Sequence, residues 1–181
     1  MPDAAVAVSL RPAAEADAAR IAEIYAHHVL TGLATFETEP PDAAEMLRRH
    51  RELVARGFPY LVAESAGRVV GYAYAGPYRA RAAYRYTVED SIYLEPGAER
   101  RGIGSALLGA LVDAAARAGF RQMIAVIGDS GNAASIRVHG RCGFRMAGTL
   151  AAVGFKFGRW VDSVLMQRAL GDGAATAPDR G

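Results

Sequence analysis

The stretch SIYLEPGAERRGIGSALLGAL, residues 91–111, sets the tightest limit on how this chain can fold. An apolar, strand-like run ends at Leu94. A Pro-Gly turn follows, then two arginines and Gly-Ile-Gly lead into a strongly helical segment. A helix N-terminus presents unpaired N–H groups and partial positive charge, so it attracts anions. Gly102 and Gly104 clear side chains from that end, and Arg100 and Arg101 add forked cationic donors. These are the requirements of a pyrophosphate cradle; a plain strand-to-helix turn with convenient glycines is the other reading. Two nucleotide signatures fail here. The dinucleotide fingerprint needs glycine or alanine where Leu107 stands, and the triphosphate loop needs a Gly-Lys-Ser/Thr that is absent.

Around this junction the pattern gives the order β-α-α-β-β-β-α-β-α-β-β. VAVSL, residues 6–10, reads as a strand. Ile21, Ile24, Tyr25, His28 and Val29 recur at helical spacing, and Gly32 closes that helix. Asp42 with Glu45 three residues later has the pattern of a capping box. YLVAES-AG-RVVGYAYA predicts a hairpin with a tight Ala-Gly turn, and TVEDSIYL a further strand. Residues 102–118 predict a helix. QMIAVIG, residues 122–128, is continuously apolar, as in a strand buried on both faces. A short helix and two strands complete the pattern. Residues 1–170 therefore read as one domain, and the polar, Gly- and Ala-rich stretch 171–181 as an unpacked tail.

Bulk properties exclude several classes. The net charge of +2 gives no general signal for nucleic acid. The single cysteine, Cys142, excludes an internal disulfide and a multi-cysteine metal site and fits a reducing, cytoplasmic setting. No apolar run is long enough to span a membrane. His27, His28 and His50 lack metal-ligand spacing, so no metal is expected. The basic residues are nearly all arginine; Lys156 is the only lysine.

The order of elements and the glycine loop together resemble the R/Q-x-x-G-x-G/A signature of the GNAT family of N-acetyltransferases. Gly102 and Gly104 match, while Glu99 stands at the Gln/Arg position. NAASIRVHGRCGF is similar to the family's N-x-x-S/A-x-x-x-Y-x-x-x-G-F, with Asn132, Ser135, Gly143 and Phe144 in place and His139 where tyrosine is usual. TFETEP, YRYTVEDSIYL and GFKFGRWVDSVLMQR look like the phosphinothricin and methionine sulfoximine acetyltransferase branch, and the resemblance covers roughly residues 6–170.

The implied fold is α/β (α+β): a mixed, twisted sheet of about seven strands with helices on both faces. Two splayed strands, 87–94 and 122–128, hold acetyl-CoA. The implied cofactor residues are Ile92, Tyr93 and Leu94 along the gap, Arg100, Arg101, Gly102, Ile103, Gly104 and Ser105 in the loop, and Asn132 and Ser135 on the next helix. Glu99 is expected to point away from the cofactor. Homodimers are common among relatives, and the 145–169 hairpin offers an edge.

Acetyl transfer to an amine needs the amine neutral, so a base is useful near pH 7. By strand alternation Glu89, Ser91 and Tyr93 share a face and Asp90 points to the other. Glu89 is the candidate base, through a bridging water or a raised pKa; a salt-bridged strand carboxylate is its structural alternative. His139 is the candidate acid for the departing thiolate, against a packing or capping role. A backbone N–H on the 91–93 strand suits the oxyanion. Arg79 and Arg81, flanking Ala80 in a tyrosine-rich loop, can converge on a substrate carboxylate or oxyacid. Phe36 and Glu37 are candidates for the opposite wall, with Asp90 and Ser91 completing the substrate set. Cys142 reads as packing. Phosphinothricin-type herbicide resistance is one implied activity, possible as a side reaction of an amino-acid acetyltransferase. A GNAT enzyme for other small amines or protein N-termini, or a non-catalytic acetyl-CoA-binding protein, stays open.

Overall fold

A computed structural model of the chain describes residues 8–178. Its elements are β1 (Val8–Pro12), α1 (Ala18–Thr31), α2 (Ala43–Ala55), β2 (Tyr60–Ser65), β3 (Arg68–Pro77), β4 (Thr87–Leu94), α3 (Ile103–Arg117), β5 (Gln122–Gly128), α4 (Ala133–Arg141), β6 (Arg145–Lys156) and β7 (Arg159–Ala169). The order matches that read from the sequence. The first strand runs later than VAVSL, and residues 6 and 7 lie outside the described residues.

Seven strands form one mixed sheet in the order β1-β2-β3-β4-β5-β7-β6, parallel only between β4 and β5. The two hairpin turns, Ala66-Gly67 and Phe157-Gly158, hold both residues at positive φ, the backbone that closes a two-residue hairpin with the strands' own twist. On one face α1 and α2 bury Ile21, Ile24, Tyr25, Val29 and Met46 against Tyr60, Val62 and Tyr72. On the other, α3 lays Leu107, Leu108 and Leu111 on Ala73, Val88, Met123 and Ala125. Small alanines in the strands let the leucine row approach. Truncating one such leucine to alanine costs about 2–5 kcal/mol.

Two local expectations are corrected. Asp42 caps α2 by accepting from the Glu45 N–H at 2.8 Å. Glu45 does not complete a capping box; its carboxylate is taken by Arg48 and Arg49, whose charge-assisted bonds outcompete a backbone N–H. Residues 171–178, expected to lack packing, turn back over Arg121. That side chain donates to the Gly173 carbonyl at 3.0 Å and the Thr176 carbonyl at 2.8 Å. No helix among the described residues is long and apolar enough to cross a membrane.

Candidate active site

The sheet opens in its middle. β4 pairs with β3 along its whole length but with β5 only from Thr87–Gln122 to Asp90–Ala125. β5 continues to Gly128 with β7 on its other side. Beyond Asp90, then, β4 and β5 part. The bonds Tyr78 N–H to Thr87 O and Glu95 N–H to Val70 O bracket the β3–β4 ladder. Odd-numbered residues of β4 therefore spend their backbone groups on β3, and Ile92 and Leu94 turn theirs into the gap. The Leu94 carbonyl is met there by His28 Nε2 at 2.7 Å. Ser91, Ile92, Tyr93, Val126, Asn132, Ser135 and His139 line the opening, a cleft of about 50 Å³.

At the mouth of this gap stands α3. Gly102, at φ 79°, is its N-cap and carries no side-chain cap, so the first N–H groups of the helix face outward. A left-handed residue there favours glycine. Arg100 and Arg101 are exposed beside it. Glu99 turns its carboxylate back onto the Gly97 N–H at 2.8 Å, away from the helix end.

Glu89 lies on the α1/α2 side of β4, opposite Gly76. It lines a cavity of about 440 Å³ with Phe36, Tyr78, Arg79, Val126, Leu150, Val153, Phe155 and Leu165. Burial, then the neighbouring Asp90 charge, pushes its pKa up to about 7. Val126 lines both this cavity and the cleft between β4 and β5, so Glu89 stands where the two meet.

Asp90, one residue on, faces the other way. Its Oδ2 meets His139 Nε2 at 3.0 Å, and both side chains are buried. His139 Nδ1 donates to the Ser135 carbonyl at 2.8 Å. Burial works against a charge on His139, but the Asp90 hydrogen bond and field, with the Ser135 carbonyl, raise its pKa on balance.

The structure thus gathers some predicted residues and parts others. Phe36, Arg79 and Glu89 come together around one cavity. Arg79 lies over the Tyr78 ring at 5.1 Å and near Tyr84 at 5.9 Å. Arg79, Ala80 and Arg81 are all exposed, and of the three only Arg79 lines this cavity; the loop turns into a short 3-10 segment at Ala82–Tyr84. Glu37 sits behind Phe36, bound to Arg49 at 2.7 Å and to the Tyr25 hydroxyl at 3.0 Å, rather than in the wall. Asp90 pairs with His139 and also borders the cleft. His139 lines the cleft but is 2% exposed, with both ring nitrogens engaged by Ser135 and Asp90. Asn132 caps α4 through the Ser135 N–H at 3.2 Å while lining the cleft. Cys142 packs against the core.

No motif or spacing singles out Val126, Tyr78 or the cavity-lining face of β6. Lys156 was visible as the sole lysine, but not as a buried one. It is 3% exposed, and its Nζ donates to the Thr35 carbonyl at 2.8 Å.

Known proteins resemble this chain in sequence and in fold. The model of the acetyltransferase (GNAT) domain matches residues 10–165. A phosphinothricin N-acetyltransferase of Alcaligenes faecalis is 51% identical over 96% of this chain and 88% of its own. An L-methionine sulfoximine/L-methionine sulfone acetyltransferase of Salmonella typhimurium is 42% identical over 93% of this chain and 98% of its own. The crystal structure of a GNAT superfamily phosphinothricin acetyltransferase from Sinorhizobium meliloti, in complex with AcCoA, superposes with a TM-score of 0.93 at 50% identity, covering 96% of this chain and 94% of that one. A matched family model across most of the chain, a relative sharing half of its residues and a forked sheet with a bare helix end lead to one conclusion: this chain belongs to the GNAT acetyltransferase family.

Proposed function

We propose that this enzyme transfers the acetyl group of acetyl-CoA to the amine of a small amino-acid analogue of the phosphinothricin or methionine sulfoximine type, with Glu89 as base. The observation that carries the reading is the position of Glu89 at the junction of the cavity and the forked strands, marked by Val126.

The chain fits acetyl-CoA by two features. The uncapped start of α3, with Gly102, Ile103, Gly104 and Ser105 and the exposed Arg100 and Arg101, suits a pyrophosphate. The backbone of Ile92 and the Leu94 N–H, turned into the gap, suit an extended amide-bearing arm, while the Leu94 carbonyl is held by His28. Tyr93, whose backbone pairs with Tyr72 on β3, lines the cleft, with its ring 5.3 Å from that of His28. Asn132 and Ser135 border the cleft. Acetyl-CoA supplies an acyl group on a good leaving thiol.

The remaining chemistry belongs to the protein. A carboxylate whose pKa is near 7 is ionised often enough to act and basic enough to take a proton from an ammonium roughly 1–2 units more basic. The Ile92 N–H faces the gap and is the preformed donor for developing negative charge. Arg79 supplies the cation for a substrate carboxylate or oxyacid, and Phe36, Leu150 and Val153 enclose an apolar stem. Ser91, two residues after Glu89 on the same strand, lines the cleft.

The exposed Phe155 (59%) and Trp160 (66%), with Leu150 and Val153, form an apolar face on the β6–β7 hairpin. A second copy of the chain suits that face, because β6 is the end strand of the sheet and its side chains also border the cavity. A homodimer in the cytoplasm, able to confer herbicide resistance, follows from this reading.

The deciding experiment is a panel of amines incubated with acetyl-CoA and followed by free-thiol release. Phosphinothricin or methionine sulfoximine should react much faster than the corresponding decarboxylated amine. Equal kcat/KM for the pair would favour a general amine acetyltransferase.

A further inference from the structure

The loop that carries Phe36 is held from several sides. Tyr25 hydroxyl pairs with Thr35 Oγ1 at 2.7 Å, and Arg49 with Glu37 at 2.7 Å. The hairpin of β6 and β7 supplies a third hold. Between Leu150 and Gly154 the β6–β7 register breaks, and Ala152, at φ 53°, donates its N–H to Asp162 Oδ1 at 2.9 Å. Such a bulge re-aims the strand. It delivers Gly154 against the Phe36 ring so closely that a Cβ there would overlap it. Two residues later Lys156 reaches the Thr35 carbonyl at 2.8 Å, with the Phe157 ring 5.0 Å from its ammonium.

Burying an ammonium at 3% exposure is costly, and burial indeed lowers the Lys156 pKa. An apolar side chain of the same length would fill that space without the cost. What the ammonium adds is a donor to a carbonyl in a loop with few backbone partners, immediately before Phe36.

We propose that Lys156 is a positioning residue that sets affinity for the acetyl acceptor by fixing Phe36 as a wall of the Glu89 cavity. The proposal rests on the reading of that cavity as the acceptor site. Lys156 touches no reacting group; it acts through Thr35 and Phe36.

Lys156→Met keeps the stem and removes the donor. Hydrogen exchange of the amides of residues 33–37 should then accelerate by about tenfold. KM for the acceptor should rise about tenfold, with kcat and the KM for acetyl-CoA each within about twofold. Lys156→Arg should restore part of the loss. In a Phe36→Ala background the same change should add less than about twofold, because its route to the cavity is gone. If Lys156→Met does not fold, Gly154→Ala displaces Phe36 from the same side and must give the same loss confined to acceptor KM. Unchanged exchange, a fall in kcat alone, or a full effect without Phe36 would overturn the proposal. A wild-type enzyme inactive on every amine would sink the acceptor-site reading itself. An active wild type whose KM ignores Lys156 would sink this proposal alone.

Discussion

Glu89 and Asp90 are neighbours on one strand with nearly the same chemistry, and the fold treats them in opposite ways. Glu89 faces a cavity with largely apolar walls and has its pKa pushed up to about 7, by burial first and the Asp90 charge second. Asp90 faces the α4 side and is held by His139 at 3.0 Å, with both side chains buried. Strand alternation alone separates them. The difference teaches that burial makes a carboxylate more basic where no paired cation offsets it, and a structural anchor where one does.

The largest expected effect breaks the pair at Glu89. Glu89→Gln keeps shape and loses basicity, so kcat should fall by about 10²–10⁴, while calorimetric titration should find CoA affinity unchanged. The wild-type kcat/KM should rise with pH through about 7, as Glu89 loses its proton, and the variant should lack that limb.

Next comes Asp90. Asp90→Ala should cost about 2–4 kcal/mol in denaturant unfolding, by stranding a buried imidazole. The raised pKa of His139 fixes the pH window. The contribution is fully present below the unfolded histidine value, about 6.5, and is lost as pH rises through the folded value. A cost that instead grew at high pH would contradict a protonated His139.

A smaller effect has the reverse sense. A carboxylate raised to about 7 favours the fold when protonated and loses that favour as pH rises from about 4.5 to 7. Glu89→Gln should therefore be more stable than the wild type at pH 8, by about 1–3 kcal/mol, and not at pH 4. Thermal melts at the two values would show it.

Smaller again, Arg79→Ala should raise KM for an acidic acceptor about tenfold, or roughly 1.4 kcal/mol, because the residue is exposed and its charge is screened. A variant that raised KM equally for the decarboxylated amine would remove Arg79 from acid recognition. The smallest shift joins the two carboxylates: Asp90→Asn removes a charge that raises the Glu89 pKa, so the acid limb of kcat/KM should move to lower pH.

Much of this arrangement was legible in the residues. The order of elements followed from periodicity and from breakers such as Gly32, Gly57 and Gly119. The uncapped entry into α3 followed from Gly102 and Gly104 beside two arginines, and the opposition of Glu89 and Asp90 from the period of a strand. These are local properties, decided within a few residues by backbone geometry and side-chain alternation.

Only the tertiary structure decided what each side chain meets across long separations. It brought His139 to Asp90 and closed both ring nitrogens, which no spacing reveals. It placed Arg79, but not Arg81, at the cavity. It spent Glu37 on Arg49 and buried the sole lysine under the loop of Phe36. The pKa of Glu89 belongs to the same class, because desolvation depends on everything packed around a group rather than on its neighbours in sequence.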